Sequence, residues 1–262
     1  MRLAFLCFLT MLAGCSDNKQ MPITQNNVQI PITENDEEMS VTRETVQLLT
    51  QFPTAFELQL ELSLNEQLLS FEICFIDSLA IELDSISQQP IAIFDLDRME
   101  WTECSSGQLF TQAACEDWAL SSTERTNATL ARAPDNDVKR FVMASLKPEF
   151  EVSETADEIK ISNQFLNYVF QSSLDVDEQQ MDRFFKYDFL NAYRKALIEK
   201  KLPPIPQLAV SGELKKRGFV PGIMNLTVNT PNGVVSLTAR TKVATLSEEK
   251  IEQLRDLTTQ TQ

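Results

Sequence analysis

Carboxylates dominate the side chains that could do chemistry. The chain carries 38 Asp plus Glu against 23 Lys plus Arg, a net charge of −15, and no histidine in 262 residues. Without an imidazole, Ser-His-Asp triads, Cys-His dyads and histidine zinc sites are excluded. Only six glycines occur, none in a GxGxxG or phosphate-loop pattern, which argues against nucleotide chemistry. The sign of the charge argues against nucleic acid as a partner, since that needs clustered cations. A pair of Asp or Glu at a suitable separation could hydrolyse a glycoside, but 38 acids do not single out a pair. Three acidic clusters could hold a cation: Asp95-Leu96-Asp97, Asp135-Asn136-Asp137 and Asp175-Val176-Asp177-Glu178. None has the glycine and twelfth-position glutamate of an EF-hand loop. A solvated face or a helix cap explains each, so no metal and no cofactor are expected.

The most specific chemistry sits at Cys15. Arg2 is followed by an apolar run, Leu3 to Leu12, and then by small residues, the three zones of a secretory signal. That run of about ten residues is too short to span ~30 Å of hydrocarbon as a mature helix, so residues 1–14 read as a removed signal peptide. Leu12-Ala13-Gly14-Cys15 resembles the bacterial lipobox, in which the cysteine thiol is acylated and the peptide is cut just before it. Only cysteine supplies the thiolate that forms such a thioether. The resemblance implies three acyl chains, palmitate among them, and hence a permanent anchor, because one chain at ~0.8 kcal/mol per methylene holds only marginally. It also implies sorting by the next residue, where Ser16 favours the outer membrane although Asp17 follows.

Export places the remaining cysteines, Cys74, Cys104 and Cys115, in an oxidising compartment. Trp101-x-x-Cys104 and Cys115-x-x-Trp118 flank a short loop symmetrically, and a Cys104–Cys115 disulfide closing it would contribute ~3 kcal/mol. Cys74 lies in the apolar run Phe71 to Ile76 and reads as a buried thiol. Ser247-Glu248-Glu249-Lys250 matches the Ser-x-x-Lys spacing of penicillin-recognising enzymes. The other motifs of that family are absent, and a helix capping box beginning at Thr245 explains the same residues.

The elements that must position these groups follow from spacing. Residues 15–39 are polar, with a two-copy repeat of period nine beginning at Gln20 and Gln29. They read as a lipidated tether reaching ~25 to 30 Å. The folded domain is expected over 40–262, opening on a helix over Val41 to Phe52. Strict alternation from Phe56 to Leu64 predicts a strand, turning at Asn65-Glu66 into a second over Leu68 to Ile76. Ile91 to Leu96 predicts a strand and Leu109 to Leu120 a helix. The polar stretch 121–137 predicts a loop dividing the domain into two halves. Phe150 to Val152 and Ile159 to Ile161 flank a turn, and Asn163 to Phe170 has helical spacing. A long amphipathic helix is expected over Glu178 to Lys201, ended by Leu202-Pro203-Pro204-Ile205-Pro206. Gln207 to Leu214, Ile223 to Val228 and Val234 to Val243 predict strands, the last two joined by Pro231-Asn232-Gly233. A closing helix runs to about Leu257. The fold class is α+β: antiparallel hairpins packed on a long helix, in one compact domain or two intimate halves.

The long helix offers a candidate apolar ligand face, Met181, Phe184, Phe185, Phe189 and Tyr193, which would serve equally as core. The run Phe189-Leu190-Asn191-Ala192-Tyr193, then Leu197 and Leu202-Pro203-Pro204-Ile205-Pro206, followed by strands, resembles the end of the tubular lipid-binding domains of the bactericidal/permeability-increasing protein family. The resemblance covers roughly residues 149–243, has no counterpart before Pro148, and transfers no ligand residue. It implies a strongly curved sheet wrapping a helix, with lipid held against apolar side chains. The sequence reading is thus a non-enzymatic lipoprotein of the cell envelope, anchored to the outer membrane on its periplasmic face. There it would act as a binding or assembly factor with an envelope protein or a bound lipid as partner. Lipid binding in a cavity is the alternative, and a carboxylate-dependent hydrolase a further one. Replacing Cys15 by Ser should abolish labelling with radioactive palmitate and release the protein from membranes, whereas unchanged membrane retention would refute the anchor.

Overall fold

A computed structural model describes residues 55–64 and 67–261, all within one compact unit, Pro53–Gln262. The leader, Cys15, the tether, the helix expected over Val41 to Phe52 and the Asn65-Glu66 turn lie outside the described residues. The described chain is a large open antiparallel sheet of eleven strands with five helices. No described helix is long and apolar enough to cross a membrane.

Strands β1 (Phe56–Leu64) and β2 (Gln67–Ile76) form the expected hairpin, with Phe56 opposite Phe75 and Leu60 opposite Phe71. A meander continues through β3 (Leu79–Leu83), β4 (Pro90–Asp95), β5 (Glu100–Glu103) and β6 (Gln108–Thr111). Helices α1 (Gln112–Arg132) and α2 (Asp137–Leu146) follow. Next come β7 (Glu151–Glu154), β8 (Glu158–Ser162) and β9 (Leu166–Ser173). Helices α3 (Glu178–Ile198) and α4 (Ile205–Lys216) lead to β10 (Pro221–Thr230), β11 (Gly233–Thr245) and α5 (Glu248–Thr261). Strand order is β6-β5-β4-β3-β2-β1-β11-β10-β9-β8-β7. The last strand returns to pair with the first, Leu60 opposite Thr241. The two halves of the sequence are therefore two wings of one sheet, and α1 and α2 join its free edges, β6 and β7.

Several segments differ from expectation for identifiable reasons. Residues 121–132 are helix, not loop. The Thr111 hydroxyl caps α1 by accepting from the Ala114 N–H, yet only Cys115 in that helix is buried, so no apolar stripe marks it. Asn163 to Phe170 is a turn and a strand. The Asn163 carboxamide accepts from the N–H groups of Phe165 and Leu166, and Leu166, Tyr168 and Phe170 then alternate as buried residues of β9. Gln207 to Leu214 is helix, burying Pro206, Val210 and Leu214 at a spacing of four. Strand β3 escaped notice because Ala80, Ile81, Glu82 and Leu83 are buried on both faces, which erases alternation. The loop between the cysteines is the β5–β6 hairpin, and the helix expected from Leu109 starts at Gln112.

Helix α3 matches its expected span and begins at a capping box made by Asp177 and Gln180. Its Tyr187, Leu190 and Tyr193 pack with Phe56, Ile73, Phe75, Phe94, Trp101 and Cys115 from the first wing. One ion cluster pins it there. Arg194 Nη1 donates to Glu82 Oε2 at 2.8 Å, Nε to Glu103 Oε1 at 2.5 Å and Nη2 to Glu103 Oε2 at 3.2 Å, all three side chains being buried. Trp101 Nε1 adds a further bond to Glu103 at 3.2 Å. On the opposite face α5 covers β2 and β3, with Leu254 and Leu246 packing on Cys74, Ile76, Ile81 and Leu83.

Cys74, Cys104 and Cys115 are free thiols, so the expected Cys104–Cys115 bridge is not formed in this structure. The register supplies the reason. Cys104 follows β5 at the turn of the hairpin, whereas Cys115 lies in the first helical turn beyond Thr111, which pairs with Glu100 at the other end. Burial pushes the Cys74 and Cys115 thiols up to about 12, and acidic neighbours act in the same direction.

Two outcomes are expected. Arg194→Ala, which strands two buried carboxylates, should lower unfolding free energy in urea by about 3 to 5 kcal/mol. The triple change Arg194→Met, Glu82→Leu, Glu103→Leu should lower it less; equal losses would deny that unpaired charge is the cause. Iodoacetamide at pH 8 should modify Cys74 and Cys115 far more slowly in the native protein than in urea, read by mass spectrometry.

Candidate functional site: the inner face of the sheet

Alternation divides the sheet into two chemically distinct faces. Along β1 the side chains of Phe56, Leu58, Leu60 and Leu62 share one face, and the register carries that face onto Ile73 and Phe71 of β2 and Ala239 and Leu237 of β11. It continues onto Met224 and Leu226 of β10 and Phe170 and Tyr168 of β9. This inner face carries α3. The outer face of the same central strands presents Gln59, Glu61 and Ser63, then Arg240 and Lys242, then Asn225 and Thr227, with Thr238 donating to Asn225 at 2.9 Å.

Cover is uneven along the inner face. Phe56 and Phe75, at one end, are 2% and 0% exposed. Further along, Leu60, Phe71, Met224, Leu226 and Leu237 are only half-buried, with the buried Leu62 and Ala239 among them. The result is an apolar strip over β2, β1, β11 and β10.

Polar side chains of α3 overlook this strip. Asp188, Asn191 and Lys195 recur at i, i+3 and i+7, which places them on one narrow face. Lys195 Nζ stands 5.7 Å from the centre of the Phe71 ring on β2. At the other side of the strip, burial raises the Tyr168 hydroxyl of β9, with the Asp188 carboxylate adding to it. Burial likewise raises Asp188, opposed by a hydrogen bond with Ser211 of α4 and by the Lys195 charge. Asn191 is 8% exposed, and its Oδ1 has no hydrogen-bond partner among the described residues.

The side chains of the candidate ligand face expected from sequence are spread around α3. Tyr193 is part of the first wing's core, with Phe184 and Phe189 packed against it. Phe185 is buried in edge-to-face contact with Phe184. Met181 lies beside Gly218 after α4. Asp188, Asn191 and Lys195 form a polar stripe beside the apolar one on the same helix, a spacing that in sequence reads equally as a solvated face. A separate open groove of about 360 Å³ lies between Trp101 and Phe110 of the β5–β6 hairpin and Leu197 and Ile198 of α3.

The motifs with possible chemistry resolve into structural roles. Lys250 donates its N–H to Ser247 Oγ at 3.3 Å as a helix cap, while its ammonium bonds Glu57 at 2.8 Å and also Glu72. Burial lowers the Lys250 pKa, but these two acids outweigh it and raise the group well above its usual range. Glu57, Glu72 and Cys74 could offer ligand atoms within 4.8 Å of one another, yet the Lys250 ammonium is the cation they share. Asp95 accepts from the N–H groups of Asp97 and Arg98 in a turn, Asp135 and Asp137 pair with Arg140, and Asp177 caps α3.

No family model matches the chain, and no curated protein matches it. Among solved structures, a LolA superfamily protein of Nitrosomonas europaea aligns at 7% identity over 81% of this chain and 97% of that one, with a TM-score of 0.28. A likeness that loose carries no argument about what this chain binds.

Proposed function

We propose that this chain is a lipid-anchored protein of the bacterial envelope that binds an acyl chain against the inner face of its sheet. The observation that carries the reading is the half-buried apolar strip, Leu60, Phe71, Met224, Leu226 and Leu237, set against a polar outer face on the same strands. Leu60 and Phe71 flank the first wing's core without the full cover given to Phe56 and Phe75. Each methylene of a ligand buried there would contribute ~0.8 kcal/mol.

A sheet curved around α3 would give the strip its concavity. Arg194 bonds Glu103 on β5, while Asp188, six residues earlier on the same helix, acts on Tyr168 of β9. Seven strand spacings separate β5 from β9, about 34 Å on a flat sheet. A helix ~10 Å across within reach of both favours a sheet that curls around it. Helices α1 and α2 then run between the two edges of the curl.

The reading is non-enzymatic. Among the described residues Glu82 and Glu103 converge on Arg194, and Glu57 and Glu72 on Lys250, so each pair is bonded to a cation of the chain itself. Anchoring through Cys15 would hold the domain at the periplasmic face of the outer membrane, where acyl chains are at hand, and suits a binding or assembly factor for lipid-bearing molecules.

Fluorescence of the neutral probe N-phenyl-1-naphthylamine tests this with the mature chain carrying Cys15→Ser. Emission should rise and shift to the blue, hexadecanol should displace the probe, and Leu237→Glu should weaken probe binding at least tenfold. No enhancement, or equal binding by the Leu237→Glu protein, would overturn the reading.

A further inference from the structure

Three polar side chains on an interior helix face need a reason, because a buried polar group costs free energy unless it is hydrogen-bonded. Asp188 is accounted for by Ser211. Asn191 is not: it is 8% exposed and its Oδ1 lacks a partner among the described residues. Lys195 acts on the Asp188 carboxylate through its charge without a salt bridge to it among the described residues, and its ammonium stands 5.7 Å from the centre of the Phe71 ring. Lys195 stands in the last turn of α3, where a cation complements the helix dipole, but the dipole alone does not direct its ammonium over the Phe71 ring of the apolar strip. In a chain of net charge −15, Lys195, Lys200 and Lys201 with only Glu199 among them are a local excess of positive charge. Lys201 sits near enough to Lys195 to be affected by its charge.

We infer that the bound amphiphile carries an acidic headgroup, a carboxylate or a phosphate, which pairs with Lys195 while its acyl chain lies along Phe71 and Leu60. This rests on the acyl-binding reading and specifies it. Asn191 supplies the second polar contact, its Oδ1 accepting from a headgroup hydroxyl or its amide, turned over, donating to the acid. An anion at this place removes the mismatch of a cation and an unpaired amide facing hydrocarbon. A neutral ligand leaves it in place, and a cationic one adds repulsion.

The test compares ligands that share one sixteen-carbon chain, by displacement of N-phenyl-1-naphthylamine from the mature Cys15→Ser protein. Palmitate or palmitoyl lysophosphatidic acid should displace the probe at concentrations at least tenfold below those needed for hexadecanol or hexadecylamine. Which acid is the tighter identifies carboxylate or phosphate as the natural group. Lys195→Met should remove the preference for acids while leaving hexadecanol within about twofold, which also shows that the variant is folded, and Lys195→Arg should retain the preference. Hexadecanol binding as tightly as both acids, or Lys195→Met weakening all ligands alike, would overturn the headgroup assignment and leave acyl binding standing. Displacement by none of the four would overturn acyl binding itself, and this inference with it.

Discussion

The width of one apolar face governs this architecture. Eleven strands at ~4.8 Å make a sheet about 50 Å across, and alternation makes its inner side apolar from Trp101 on β5 to Ile161 on β8. A single helix covers only ~10 Å of it. Left flat, most of that face would meet water at ~25 cal/mol per Å². Helix α3 lies on this face against the first wing, and helices α1 and α2 lie in the connection that runs between the wings, from β6 to β7. Even so, the strip over β1, β11 and β10 is left half-covered. The unsatisfied part of the fold and its proposed function are the same surface.

Ion clusters fix the two layers on either side of the sheet. Inside, Arg194 joins Glu82 and Glu103 and lies 6.0 Å from the Phe94 ring. Outside, Lys250 joins Glu57 and Glu72. Such buried or half-buried pairs add little net stability over apolar packing, but each admits one placement of its helix, because any slip leaves a charge unpaired. Arg183 makes a weaker version of the same contact. Burial lowers its pKa, and its guanidinium lies 5.3 and 5.5 Å from the rings of Phe56 and Phe75, with one bond to the Leu79 carbonyl. Residues 183, 187, 190 and 194 are thus one stripe of α3, half charged and half apolar, read by the first wing.

That mixture explains what was legible in sequence. Segments with one dry face and one wet face declared themselves: the β1 alternation, the β10–β11 hairpin with its Pro231-Asn232-Gly233 turn, and the α3 period with its Asp177 cap. Segments buried on both sides or on neither did not. Strand β3 has no alternation, and α1 has no stripe because it runs between the sheet's edges instead of lying on a core. The runs around Leu166 and Val210 fit either period locally, and only the neighbouring strand or helix decides between them. The candidate ligand face was placed by apolar content, which favours core. The residues that overlook the strip are polar, and no local pattern separates a polar residue facing solvent from one facing an interior.

The same distinction bears on why the interior holds polar groups at all. Hydrocarbon alone could fill the strip with larger side chains, since Met224 or Leu237 could be replaced by aromatics at modest strain, and the fold would gain burial. Keeping Asp188, Asn191 and Lys195 beside it sacrifices stability at positions where apolar residues would suit the helix as well. Marginally stable domains tolerate few such losses without compensation, and strained or unsatisfied positions concentrate where a protein does its work. On the proposed reading, an incompletely covered apolar strip and an incompletely satisfied polar row beside it suit a molecule with a hydrocarbon tail and a hydrogen-bonding head.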